Sequence, residues 1–280
     1  MRKEGFTLKV EGSLHDYLSC EITIDRENKM GWIHQPHLLD KMEKKFGAEI
    51  GHLQRYRTPG TPGQGILRDT NAKVDAEKHK MYRSGVGMLL YLVKHSRPDI
   101  SNAVRELTKA LDAPSPAAYK EMLRVIKYTI DTKDMALKIK PIEEESDGSW
   151  TIVVYSDSDF AGDKETRVSI AGFVIYLMGV PICWKSKGMK SVTLSSSEAE
   201  YVALAEAAKE VKFVYQVLQS MGMKIKTPII VRVDNVGAIF IAENVAVLQR
   251  TKHIDVKYRF VQEFLMDGFL RIIFVRTANN

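Results

Sequence analysis

Three acidic residues fall where a fold could gather them. Asp157 follows the strand-like run Ile152-Val-Val-Tyr155, Asp234 follows Ile229-Ile-Val-Arg-Val233, and Glu200 stands inside Ser195-Ser-Ser-Glu-Ala-Glu200-Tyr201. Two carboxylates at strand ends, with a third on an adjoining helix, make an oxygen-rich site of the kind Mg²⁺ takes. That ion prefers a few carboxylates, waters and substrate phosphate oxygens to a full protein cage, and Mn²⁺ suits the same donors. Two such ions about 4 Å apart can hold the attacking and leaving oxygens of an in-line phosphodiester cleavage. The serines at 195–197 are not read as nucleophiles, because the sequence has no G-x-S-x-G elbow and no paired histidine; helix capping accounts for them.

The elements that must position these groups are legible in the pattern. Ile152–Tyr155 is β-branched, aromatic and nearly continuous in apolar residues, which predicts a strand covered on both faces. Ala171–Leu177 and Pro181–Trp184 predict a hairpin turning at Met178-Gly179-Val180. Ser195 with Glu198 fits a capping box, and so does Ser197 with Glu200. Glu200, Leu204, Ala207, Val211, Val214 and Leu218 recur at spacings of three and four, one helical face with Glu200 at its head. Glu198 lies roughly 200° round that helix from Glu200. Further on come a strand from Ile229, a short helix over Val236–Ala242, a long helix from Arg250 to Asp267 stopped by Gly268, and a last strand over Phe269–Val275. The order β-β-β-α-β-α-α-β predicts an α/β fold, a mixed sheet covered by helices.

At these residues the chain resembles the ribonuclease H domain of copia-type LTR retrotransposon polyproteins. YSDSDFAGD, SIAGFVIYL, PICWKSK, LSSSEAEYVALAEAAKE, VDNVGAI and RTKHIDVKYRFVQE follow the family's pattern in order and spacing. The resemblance implies a ribonuclease H-like mixed five-stranded sheet with flanking helices. It also implies that Asp157, Glu200 and Asp234 are catalytic metal ligands. Asp159 is the alternative to Asp157, and Glu198 the alternative to Glu200. Asp157 is preferred for the small residue that follows it, Glu200 for the Tyr-Val-Ala-Leu run that follows it. The implied activity is Mg²⁺-dependent endonucleolytic cleavage of the RNA strand of an RNA–DNA hybrid, leaving a 3′-hydroxyl and a 5′-phosphate. Strand choice would come from helix shape and 2′-hydroxyls, not from base reading. Family members carry a fourth carboxylate shortly after the last strand, and this sequence reaches Asn280 before it. The resulting expectation is one metal held well and a second held poorly. The alternative reading is therefore a catalytically impaired remnant that still binds nucleic acid.

The first half is read differently. Phe6–Val10 and Tyr17–Ile24 predict strands, 28–31 a turn, and Pro36–Phe46 a helix opened by its proline. Here the chain resembles, more loosely, the copia-type reverse transcriptase just downstream of its polymerase aspartates. The tyrosine-led Asp-Asp motif is missing, so no DNA polymerase activity is expected. Residues 57–80, with Pro59, Pro62 and three glycines, predict a solvated loop. Three helices follow, over 81–95, 98–111 and 116–131. YRSGVGMLLY and RPDI within them match the family closely. Gly85 and Gly87 suggest close helix packing. Arg83, Lys94, Arg97, Lys109, Lys120, Arg124 and Lys127 could line a phosphate-facing surface or be ordinary charged helix faces. The acidic, turn-prone stretch 141–150 places a boundary near 145. A reverse-transcriptase-derived domain over 1–145 is thus expected before the ribonuclease H-like domain over 146–280.

Other residues are candidates for holding nucleic acid. Arg250, Lys252 and His253 stand at a helix start, where they could grip a phosphate, or where Thr251 simply caps. Asn235 could orient a water or cap a helix. Lys185, Lys187 and Lys190 follow the third strand and offer a handle for the DNA strand, against solvated loop charges. Trp150 and Trp184 are read as core. The net charge of +6 in 280 residues is compatible with nucleic acid without requiring it. No apolar run approaches the ~18 residues of a membrane span, and the first residues lack a signal-peptide core. Cys20 and Cys183 have no zinc spacing and are read as reduced. An intracellular protein, cytoplasmic or nuclear, is expected.

Overall fold

The computed structural model describes residues 16–61, 63, 65–66, 72–142, 147–244 and 255–277, the side chains of 16 and 255–258 excepted. The strand read over 6–10 and the start of the helix read from Arg250 lie outside these residues.

Two sheets and seven α-helices make up the described chain. The first sheet is antiparallel, in the order β1 (Asp16–Tyr17), β2 (Cys20–Asp25), β3 (Met30–His34), β4 (Leu137–Ile139). Four helices follow β3 before the chain returns as β4: α1 (Pro36–Ile50), α2 (Ala76–His95), α3 (Ser101–Thr108) and α4 (Pro116–Asp131). Phe46, Tyr82, Leu89, Leu92, Met122 and Ile126 are fully enclosed among them. Caps mark the starts. Asp75 accepts from Lys78 N–H at 2.8 Å, and Ser115 from Ala118 N–H at 3.2 Å ahead of Pro116. Gly85 is a packing glycine, as its place in the pattern suggests. A Cβ there would sit 2.6 Å from Met122 Sδ and 3.1 Å from Phe46 Cζ. Gly87 is not one, since a Cβ would meet nothing within 4 Å.

One sequence expectation is corrected here. The stretch from residue 57 is not a solvated linker in its described part. Thr61 N–H and Oγ1 bond to Glu121 at 2.7 and 3.0 Å, and Ile66 N–H bonds to Glu106 at 3.2 Å. Arg124 donates to Thr58 and Gly60 and lies over the Tyr56 ring. The loop's backbone polar groups thus find partners on α3 and α4. Two of the candidate cations take the structural one of the two readings left open for them. Arg97 is 2 % exposed and held by Asp99 and Thr132, while Lys127 pairs with Asp131.

The second sheet runs in the order β7 (Val180–Gly188), β6 (Ile170–Leu177), β5 (Ile152–Asp159), β8 (Ile229–Val233), β9 (Leu270–Phe274). The hairpin pairs β5–β6 and β6–β7 are antiparallel, and β5–β8 and β8–β9 are parallel. Met178 and Gly179 both have positive φ in the two-residue β6–β7 turn, as a primed turn requires. Helix α5 (Ser196–Ser220) covers β5 and β6 with Tyr201, Leu204, Ala208 and Val211, all fully enclosed. Helices α6 (Val236–Glu243) and α7 (Asp255–Met266) complete that layer. This is the mixed five-stranded α/β sheet with flanking helices that the element order predicts.

The two cores meet along β7 and the β5–β6 loop. Trp184 Nε1–H donates to Val93 O at 2.8 Å, and Ile142 N–H donates to Met178 O at 2.8 Å. Lys109, at the end of α3, pairs with Asp163 in the β5–β6 loop at 2.5 Å. Trp184 and Trp150 are half-buried, Trp184 at this junction. Cys20 and Cys183 are unbridged. Among the described residues no helix is long and apolar enough to cross a membrane.

Candidate metal centre at the sheet end

The parallel pairing of β5 with β8 brings two of the carboxylates together. Tyr155 is level with Arg232 in that ladder. Two residues further along each chain, on the same face, stand Asp157 and Asp234. Glu200 comes from the second turn of α5, which lies across β5 and β6. One oxygen from each of the three carboxylates lies within 4.8 Å of the others.

Glu200 is the most constrained of the three, at 5 % exposed. Its Oε1 accepts from Ser158 N–H at 3.0 Å and from Ser158 Oγ–H at 2.8 Å. Its Oε2 is buried with no hydrogen-bond partner. Burial, reinforced by the charges of Asp157 and Asp234, pushes its carboxyl up to about 7 against the opposing bonds from Ser158. Asp157 is also raised, first by loss of solvation on its inner side and then by the charge of Asp234. Among the described residues no lysine or arginine pairs with any of the three. Gathered carboxylates without a cation repel one another, and a buried lone pair without a donor is costly. A hard divalent ion at this point would answer both, so the donor set fits such a metal.

The alternatives are separated by what each side chain touches. Asp159 ends β5 exposed and outside the group, its carboxylate against Gly162. Glu198 forms a shifted capping box with Ser195: its own N–H bonds to Ser195 Oγ at 3.1 Å, and its Oε2 accepts from Leu194 N–H, one residue before the cap, at 2.7 Å. Ser195–Glu198 is thus the box, which leaves Glu200 to face the sheet. Asn235 caps α6, its Oδ1 accepting from Ala238 N–H at 3.0 Å and from Ser197 Oγ–H at 3.2 Å. That bond joins the starts of α5 and α6, and Gly237 leaves room for it, since a Cβ there would fall 2.3 Å from Ser197 Oγ.

Lys185 and Lys187 lie across from Phe173 and Ala171 on the neighbouring strand. With Lys190 and Lys209 they line a cavity of about 470 Å³ floored by Phe173 and Val202. Lys185 is held by Glu210 at 3.0 Å. Arg250, Lys252 and His253 lie outside the described residues. Sequence reasoning missed Ser158 as the residue that holds Glu200; its signal was the small side chain directly after Asp157. It also missed Lys209, which only strand pairing and helix packing bring beside Lys187.

No family model matches the chain. The retrovirus-related Pol polyprotein of transposon RE1 from Arabidopsis thaliana is 35% identical over 196 residues, which is 70% of this chain and 13% of that protein. The corresponding polyprotein of transposon TNT 1-94 from Nicotiana tabacum is 29% identical over 284 residues, covering 99% of this chain and 20% of its own length. Among solved structures, the N-terminal RNase H domain of a Mycobacterium tuberculosis protein, fused to maltose binding protein, overlaps 47% of this chain and 86% of its own. Its identity to this chain is 20% and the TM-score is 0.32. The chain spans a fifth or less of the two transposon relatives. On the similarity that runs along both halves of its sequence, the chain belongs to the copia-type retrovirus-related Pol polyproteins of transposons.

Proposed function

We propose that this chain is a ribonuclease H-type endonuclease that hydrolyses the RNA strand of an RNA–DNA hybrid at Asp157, Glu200 and Asp234. The observation that carries the reading is the convergence of the three carboxylates, with Glu200 Oε2 buried and unpartnered among them. Mg²⁺, or Mn²⁺ in its place, is the proposed ion. When bound, it supplies positive charge against the charge that develops on the phosphate oxygens. The chain's own part is positional. Asp157 is fixed in β5 by its pairing with β6, Asp234 stands directly after β8, which runs parallel to β5, and Glu200 is held by two hydrogen bonds from Ser158. Groups held in advance need no rearrangement when the reaction begins. Lys187, Lys190 and Lys209, which line the cavity between β7 and α5, would grip backbone phosphates of the hybrid, which fixes register without reading bases. Residues Arg250, Lys252 and His253 are proposed to add to that grip, and Asn235 to support it by holding the start of α6.

The first unit, up to about residue 145, is proposed to be the end of a reverse transcriptase that serves as a platform for the second. Its support is that the two large apolar cores fall on either side of that point. The test of function is a hybrid with labelled RNA, incubated with the chain and Mg²⁺. The expected products carry a 3′-hydroxyl and a 5′-phosphate, and they disappear with EDTA and in Asp234→Asn. Cleavage that survives EDTA, or that Asp234→Asn leaves intact, contradicts the reading.

A further inference from the structure

Asp157 and Asp234 are each followed by a residue that bonds to α5. Ser158 donates to Glu200 through its N–H at 3.0 Å and its Oγ–H at 2.8 Å. Asn235 accepts from Ser197 Oγ–H at 3.2 Å, and Ser197 stands less than one turn ahead of Glu200. The strands close the third side of this triangle, but the pairing of β5 with β8 runs only from Val153 opposite Ile230 to Tyr155 opposite Arg232. Asp234 lies one residue past the end of β8, beyond that pairing. Its position relative to Glu200 therefore depends on the turn into α6, and Asn235 makes that turn.

An amide oxygen has two lone pairs, and Asn235 Oδ1 uses both. One takes Ala238 N–H at 3.0 Å and the other takes the Ser197 hydroxyl. A single atom thus ties the start of α6 to the start of α5. Gly237 points to the same bond. It lies inside α6 without a positive φ, so its backbone conformation does not call for glycine. Glycine is also the weakest helix former apart from proline. Space does call for it. A Cβ at this position would collide with the Ser197 hydroxyl and come within 3.1 Å of Asn235 Oδ1. The residue that weakens α6 is the one that leaves room for the hydrogen bond.

We propose that Ser197, Asn235 and Gly237 form a clasp that sets the separation of Glu200 from Asp234 and so, on the reading of the three carboxylates as metal ligands, the affinity of the acidic centre for its divalent ion. The three are positioning residues. Without an ion, the negative charges of Glu200 and Asp234 repel each other. The clasp opposes that repulsion from just behind both side chains. Ligands already held at the spacing an ion requires need less rearrangement when it binds, so a supporting hydrogen bond appears as affinity.

The experiment is titration of the whole chain with Mn²⁺ in the absence of nucleic acid, followed by the electron paramagnetic resonance signal of the free ion, with Mg²⁺ as competitor. The parent should bind an ion that Asp157→Asn loses. Ser197→Ala and Gly237→Ala should each weaken that binding about 3–10-fold, the worth of one neutral hydrogen bond. Ser197→Thr, which keeps the hydroxyl, should stay within about twofold of the parent. On the Ser197→Ala background, Gly237→Ala should add nothing, because the bond it breaks is already gone. Circular dichroism checks that each variant folds. Unchanged affinity in Ser197→Ala overturns the proposal, and so do losses that add in the double variant, since a glycine needed only for packing would behave that way. A parent chain that binds no ion at the carboxylates overturns the clasp and the metal reading together. The expected shifts in a chain that leaves the hybrid uncut would support the clasp and contradict the nuclease reading alone.

Discussion

At the scale of single residues, Glu200 makes the sharpest statement. A buried carboxylate with one oxygen unpartnered costs the metal-free protein stability whenever it is charged. Its folded value of about 7 lies above the usual carboxylate range. The native state therefore holds this proton more tightly than the unfolded chain. Stability from this group is greatest below the unfolded carboxylate value and falls as pH rises toward about 7. In EDTA, Glu200→Gln should remove that slope and raise the melting temperature at pH 8, by about 2–4 °C for each kcal/mol recovered. Mg²⁺ should stabilise the parent chain at pH 8 and leave the variant nearly unmoved. Thermal melts at several pH values, with and without the metal, check both statements. A Glu200→Gln chain less stable than its parent in EDTA would count against the strain ascribed to this carboxylate.

At the scale of elements, the sequence already carried most of the second unit. The β5–β6–β7 hairpins, the Ser195 start of α5, the strand before Asp234 and the glycine stop at Gly268 all follow from pattern and cap chemistry. What pattern could not decide was which of two overlapping boxes closes α5, because Ser195–Glu198 and Ser197–Glu200 differ only in where the first turn begins. Contact with the sheet decides it. The two glycines of α2 show the same limit. Both read as packing positions, but only Gly85 faces α4 and Phe46. Gly85→Val should therefore destabilise by about 1–3 kcal/mol through overpacking. Gly87→Ala should stabilise by up to ~1 kcal/mol through helix propensity alone. Urea unfolding of the two variants separates them, and equal effects of the same sign would contradict the packing assigned to α2.

At the scale of the whole molecule, the two units are joined through charged side chains that no local pattern announces. Lys109 is bound to Glu106 at 2.8 Å and to Asp163 at 2.5 Å, all three largely buried. Burial would raise the Asp163 carboxyl, but Lys109 and Thr166 outweigh it and hold it well below the usual carboxylate range. Its contribution to stability is then present above the unfolded carboxylate value and lost as pH falls below it. Lys109→Met should cost about 1–3 kcal/mol at neutral pH and flatten the acid side of the stability profile, which unfolding at pH 3 to 7 would reveal. These partners are 54 residues apart in sequence, and the loop from residue 57 reaches α3 and α4 over comparable separations. Such contacts depend on how finished elements dock, which explains why the loop reads as solvated in sequence and is packed in the fold.

The most direct measurement is strand-resolved cleavage of an RNA–DNA hybrid, each strand labelled in turn, by the parent chain, Asp157→Asn and Glu200→Gln in Mg²⁺. Cuts should fall on the RNA strand alone and slow at least ~100-fold in each variant. Cleavage of the DNA strand at a similar rate, or variants as active as the parent, would contradict the assignment of the three carboxylates. So would a folded parent chain that leaves the hybrid intact in both Mg²⁺ and Mn²⁺.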